Sequence, residues 1–206
     1  MAEHILPEFS KLKETDQLTV LKALAESSEY ARADDARLLL PAVYTLLEEH
    51  TPTKPETPAA EQPNINFSMV ECLLFAFYYL ASKAPGALAP ICGIKVLTGQ
   101  PSDMVLGDFS AKLEDFKSRV AFLDECTNEY VRRLQAVLGK LNTETTASDE
   151  ERTKQVRTSM HIRELRYTQQ QNKEAISSAL KTINNIRAIT KKLTRLYVDY
   201  IYKSFL

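Results

Sequence analysis

The 206 residues, 44% hydrophobic and 26% charged, exclude a wholly disordered chain and are enough to bury a core. Five glycines and no tryptophan disfavour a loop-rich or all-β fold and suit helices joined by short connections. The net charge of −1 hides an asymmetry, with 8 basic against 15 acidic residues over 1–110 and 18 against 12 over 111–206, which raises the question of a basic binding face.

The start, MAEHILPEFSKLKET, lacks the basic and apolar regions of a secretory leader and is not expected to act as one. Residues 1–50 read as a helical hairpin. In LTVLKALAESSEYA, Leu18, Leu21, Leu24 and Ala25 form one apolar stripe, with Asp16 as the expected cap. In DDARLLLPAVYTLLEEH, Leu38, Leu39, Ala42, Val43, Leu46 and Leu47 form a broad face, and Pro41 predicts a kink or a start. Residues 51–66 contain four prolines and are expected to form an exposed, mobile loop.

The run FSMVECLLFAFYYLASK follows, where Ser68 and Glu71 are the only plainly polar residues between Phe67 and Ala81. Their S-x-x-E spacing predicts a capping box, and Phe67 with Cys72 a hydrophobic staple. The expected helix, 69–84, is too short for a comfortable membrane span of roughly 20 residues. Its apolar girth then belongs at the centre of a helical core.

Residues 86–108 read as irregular apart from a short helix near 87–92, and GIKVLTG has no partner strand. A long helix is expected over 109–140, ending at Gly139, with LNTETTASDEE as a loop. Leu113, Val120, Thr127 and Leu134 step by seven along it, a zipper-like series that suits either packing within the fold or a partner. A second long helix is expected from 149 to 190, followed by an aromatic helical end. The two are expected to run antiparallel.

Catalytic signals are absent. His4, His50 and His161 stand apart, without H-x-x-x-H or C-x-x-C spacing, so neither a metal nor a cofactor is expected. Cys72, Cys92 and Cys126 are widely spaced, as free thiols in a reducing compartment would be. No Gly-rich phosphate loop or G-x-S-x-G occurs. KTINNIRAITKKLTRLY carries Lys181, Arg187, Lys191, Lys192 and Arg195 beside Tyr197, a basic face that suits either solvation or RNA.

FSMVECLLFAFYYLASKAP resembles the F-S-Y-V-E-C-L-L run of the apoptosis inhibitor 5 family, also called antiapoptosis clone 11. Residues 112–140 are similar to that family's leucine-zipper helix, and ALKTINNI to its A-L-K-I-T-N-N-I segment. EHILPEFSKL and LTVLKALAE resemble its early helices, and CGIKVLTGQPSD looks like the plant members.

The resemblance implies an all-α, helical-repeat solenoid of HEAT- and armadillo-like hairpins, read here as a single domain over 1–206. It also implies a protein-binding scaffold, anti-apoptotic and nuclear. The implied partners are DEAD-box RNA helicases or apoptosis-related nuclear factors, with a link to RNA processing. The family's N-terminal HEAT half and basic, Gly/Arg-rich nuclear-localisation tail have no match, which leaves cytoplasmic residence as the other expectation. At the family's zipper leucines this chain has Leu113, Val120, Thr127 and Leu134, only two of them leucine.

Overall fold

The computed structural model describes residues 5–55, 63–91, 110–151 and 159–203. Among these, all regular structure is helical. A 3-10 turn, Leu6–Lys11, precedes α1 (Glu14–Ser28) and α2 (Ala33–His50). Then come α3 (Phe67–Lys83), α4 (Pro85–Ile91), α5 (Ser110–Glu151) and α6 (Ser159–Lys203). The chain divides into two compact units, Met1–Asp124 with Asn185–Leu206, and Glu125–Asn184.

In the first unit, α3 is the organising element. Met69, Val70, Leu73, Leu74, Ala76, Phe77, Leu80 and Ala81 are all buried along it. Both α1 and α2 pack on α3, so the expected hairpin of residues 1–50 has α3 as its common partner. Tyr44 of α2, Phe77 of α3 and Phe116 of α5 form a triangle of rings with centroids 5.8–5.9 Å apart. Tilted aromatic contacts of this kind add to the area they bury. Phe9 of the 3-10 turn is buried, meets His50 edge-on and accepts a hydrogen bond from Gln17 at its carbonyl.

Several helix ends differ from those expected. α1 begins at Glu14, with Asp16 already inside its first turn, where a carboxylate suits the positive end of the helix dipole. α2 does not start at Pro41 but continues through it, because the proline removes only one amide donor and the packing on α3 outweighs that loss. α3 and α4 meet at Ala84, with Pro85 as the first residue of α4.

α5 does not stop at Gly139 but continues to Glu151, so the loop expected over 141–151 is helical. A helical glycine costs only about 1 kcal/mol against alanine, and Leu138, Lys140 and Leu141 beside it are strong helix formers. α6, described from Ser159, carries on without a break to Lys203 in the aromatic end.

The second unit is made of α5 from Glu125 to its end and the first part of α6. There, Thr127, Ile176 and Ile183 are buried, and Val131, Leu134, Leu138 and Leu180 are half-buried. Its α5 surface carries the local ion pairs Glu129–Arg133 and Glu129–Arg132. Residues 56–62, within the stretch expected to be a loop, residues 92–109 with Cys92, and the side chains of Leu113, His161 and Tyr197 lie outside the described residues.

Candidate functional site: the outward stripe of α3 and its neighbours

The expected capping box is not what starts α3. Its N-cap is Asn66, whose Oδ1 accepts from the Met69 amide at 3.2 Å. The cap therefore sits two residues earlier, at the last non-helical residue before the helix, where an Asn side chain can fold back onto the first turn. Ser68 becomes an exposed first-turn residue, and Glu71 lies a turn further in. The same Asn66 amide donates through Nδ2 to Glu14 at 2.8 Å, joining the N-termini of α1 and α3. Glu71 instead accepts from Asn185 Nδ2 of α6 at 2.6 Å.

α3 is not equally buried all round. Ser68 and Ser82 are exposed, and Glu71, Cys72, Phe75, Tyr78 and Tyr79 are half-buried. These positions recur at three- and four-residue steps and so share one face of the helix. Phe75 and Tyr79 are in contact at 4.7 Å, and Tyr79 meets Tyr78 edge-on at 5.4 Å. Between this face and the end of α1 lies an open groove of about 410 Å³, lined by Lys22, Glu26, Glu29, Tyr30, Cys72 and Phe75, with Ala25 and Glu71 completing it.

Burial holds the Cys72 thiol above its ordinary pKa of 9.0, with the Glu71 and Glu26 carboxylates adding to the shift and Lys22 opposing it. Such a thiol is a poor nucleophile at neutral pH. Cys126 is likewise raised, by burial and by Glu125. Both are free thiols. No group of three or more metal-ligating side chains occurs among the described residues.

The basic residues of α6 are not gathered into one free surface. Arg187 is half-buried, with Nε 3.9 Å from Asp124. Lys192 lies over the Tyr78 ring at 5.7 Å, a cation–π arrangement. Lys191 and Arg195 are exposed. Lys181 is exposed too but belongs to the second unit.

The zipper-like series divides in the same way. Val120 lies in the first unit and is half-buried; Thr127 and Leu134 lie in the second, buried and half-buried respectively. Phe116 and Leu123 are buried on the same face of α5, at three- and four-residue steps from Val120 and Thr127. Beside it, Arg119 donates to Asp115 at 2.7 Å and to the Glu48 and Thr51 carbonyls at 3.0 and 3.1 Å. It thereby satisfies backbone acceptors left open at the C-terminus of α2. Sequence patterning alone did not reveal the roles of Asn66, Arg119 or the groove.

The model of the family described as apoptosis inhibitory protein 5 (API5) matches residues 1–203, and the chain belongs to that family. It is 38% identical to the rice apoptosis inhibitor 5-like protein API5 over 154 residues, 74% of this chain and 28% of that relative's length. The Dictyostelium discoideum apoptosis inhibitor 5 homolog is 33% identical over 137 residues, 66% of this chain and 22% of its own. Human apoptosis inhibitor 5 is 28% identical over 192 residues, 89% and 29% respectively. The chain thus spans less than a third of the length of each of these relatives.

Proposed function

We propose that this chain is a non-enzymatic protein–protein interaction module, built on a helical-repeat plan and acting in negative regulation of apoptosis with a link to nuclear RNA processing. One observation carries the reading. Several polar side chains of the first unit serve helix ends and helix-to-helix ties: Asn66 caps α3, Arg119 closes α2, and Glu71 holds Asn185. They are structural groups, and the surface is left for recognition. The family name supports the anti-apoptotic assignment. DEAD-box RNA helicases and apoptosis-related nuclear factors are the partners that go with it, in a nuclear setting.

The test is capture of a purified DEAD-box helicase by the 206-residue chain after nuclease treatment. Retention that survives the nuclease supports a protein contact. Loss on nuclease treatment would assign the association to RNA. Direct RNA binding through α6 would fall steeply with salt, and Lys191→Ala with Lys192→Ala would flatten that slope.

A further inference from the structure

We infer that the groove between the end of α1 and the outward stripe of α3 is a docking site for a short protein segment bearing an arginine beside an apolar side chain. The inference rests on the reading of the chain as a protein-binding module and names the surface that would do the binding. Its shape comes first. The groove holds about 410 Å³ and opens to solvent, which is room for two or three side chains but not for a whole helix. Ala25, Cys72 and Phe75 provide apolar lining, and Tyr30 at the lip is 81% exposed. A large aromatic ring left this open beside a concave surface is a frequent anchor in protein interfaces.

The charge gives the chemistry of the occupant. Glu26 and Glu29 sit at the C-terminal end of α1, and its last turn contains no basic residue. The C-terminus of a helix carries partial negative charge, so carboxylates there have the unfavourable sign. Among the described residues neither the Glu26 nor the Glu29 carboxylate has an ion-pair or hydrogen-bond partner. Lys22 is the one cation of the lining, against Glu26, Glu29 and Glu71.

The chain itself shows what this end of α1 accepts, because Lys83 Nζ donates to the Glu29 carbonyl at 2.6 Å. A guanidinium would match the remaining features together. It pairs with carboxylates in a planar fork and stacks on an aromatic face such as Tyr30, which an ammonium does less well. The apolar neighbour of that arginine would fill the space over Phe75 and Cys72.

The groove floor supplies its own reporter. A fluorescent peptide, Arg-Leu-Leu-Arg with blocked ends, is titrated onto the whole chain by anisotropy, with Glu-Leu-Leu-Glu as its charge-reversed control. In parallel, iodoacetamide labelling of Cys72 is followed by mass spectrometry, with Cys126 as the reference thiol in the same molecule. The arginine peptide is expected to bind and to slow labelling of Cys72 but not of Cys126. The Glu26→Gln/Glu29→Gln variant is expected to weaken binding by at least about tenfold, since each lost charged hydrogen bond is worth that much. Tyr30→Ala should weaken it as well, with circular dichroism confirming an unchanged helical fold.

Equal binding of both peptides, unchanged labelling of Cys72, or full affinity in the Gln/Gln variant would overturn the proposal. If the Gln/Gln variant and Tyr30→Ala still capture the helicase as well as the parent chain does, the groove is refuted and the interaction module stands. Failure of the parent chain to capture it while the arginine peptide behaves as expected would instead refute the choice of partner and keep the groove.

Discussion

Asn66 does two jobs with one amide, and both can be read separately. Its oxygen caps α3 and its nitrogen holds Glu14 of α1. Asn66→Ala should cost about 1–2 kcal/mol, the usual range for a lost N-cap. Ser68→Ala should cost a few tenths at most, since exposed substitutions away from a cap do little. Urea unfolding of the two variants checks this, and the reverse order would restore the S-x-x-E box. Cys72 offers a second measurement. Its folded pKa lies above the ordinary 9.0, first because of burial and then because of Glu71 and Glu26. A group with a raised folded pKa contributes stability that is whole below its unfolded value and is lost as pH rises through the folded one. Between about pH 8 and pH 10 the parent chain should therefore lose more stability than Cys72→Ala, compared by urea midpoints. Equal losses would show that the thiol is not held neutral by its site.

At the scale of the element, the apolar patterns of residues 14–50 and 67–83 were legible in outline from three- and four-residue steps of Leu, Val and Phe, but Leu38, expected on the buried face of α2, is exposed, and Leu40 is buried in the core. What they could not reveal was where each helix ends. Gly139 and the polar run after it resemble a stop, yet helix formation there depends on small propensity differences that neighbouring residues override. Gly139 has nothing within 4 Å of the position a Cβ would take. Gly139→Ala should accordingly stabilise the chain by about 0.5–1 kcal/mol, seen as a higher thermal midpoint. A loss of stability would mean that α5 needs a glycine there. The zipper-like series lies on the packed side of α5: Phe116 and Leu123, seven apart, alternate with Val120 and Thr127 at three- and four-residue steps, so these positions share one face. The groove was hidden from periodicity because it joins the end of one helix to the side of another. Its one sequence signal was the pair Glu26 and Glu29 at a helix end whose last turn has no basic residue.

At the scale of the molecule, the first unit is held by α3, and Phe77 is the residue through which three helices meet. It is fully buried. Phe77→Ala should cost about 3–5 kcal/mol, the range for deleting a core ring. Phe77→Leu should recover much of this, with both read by chemical denaturation. The apolar girth that makes FSMVECLLFAFYYLASK look like a membrane segment is thus used against other helices. No described helix is long and apolar enough to cross a bilayer.

The proposed interaction role is tested most directly by titrating the purified, nuclease-treated chain in parallel against a DEAD-box RNA helicase and against single-stranded RNA, at about physiological salt. The account predicts saturable binding of the protein, unchanged by Lys191→Ala with Lys192→Ala, and at most weak, salt-sensitive binding of the RNA. Tight RNA binding that those two substitutions abolish, with no binding of the protein, would contradict it.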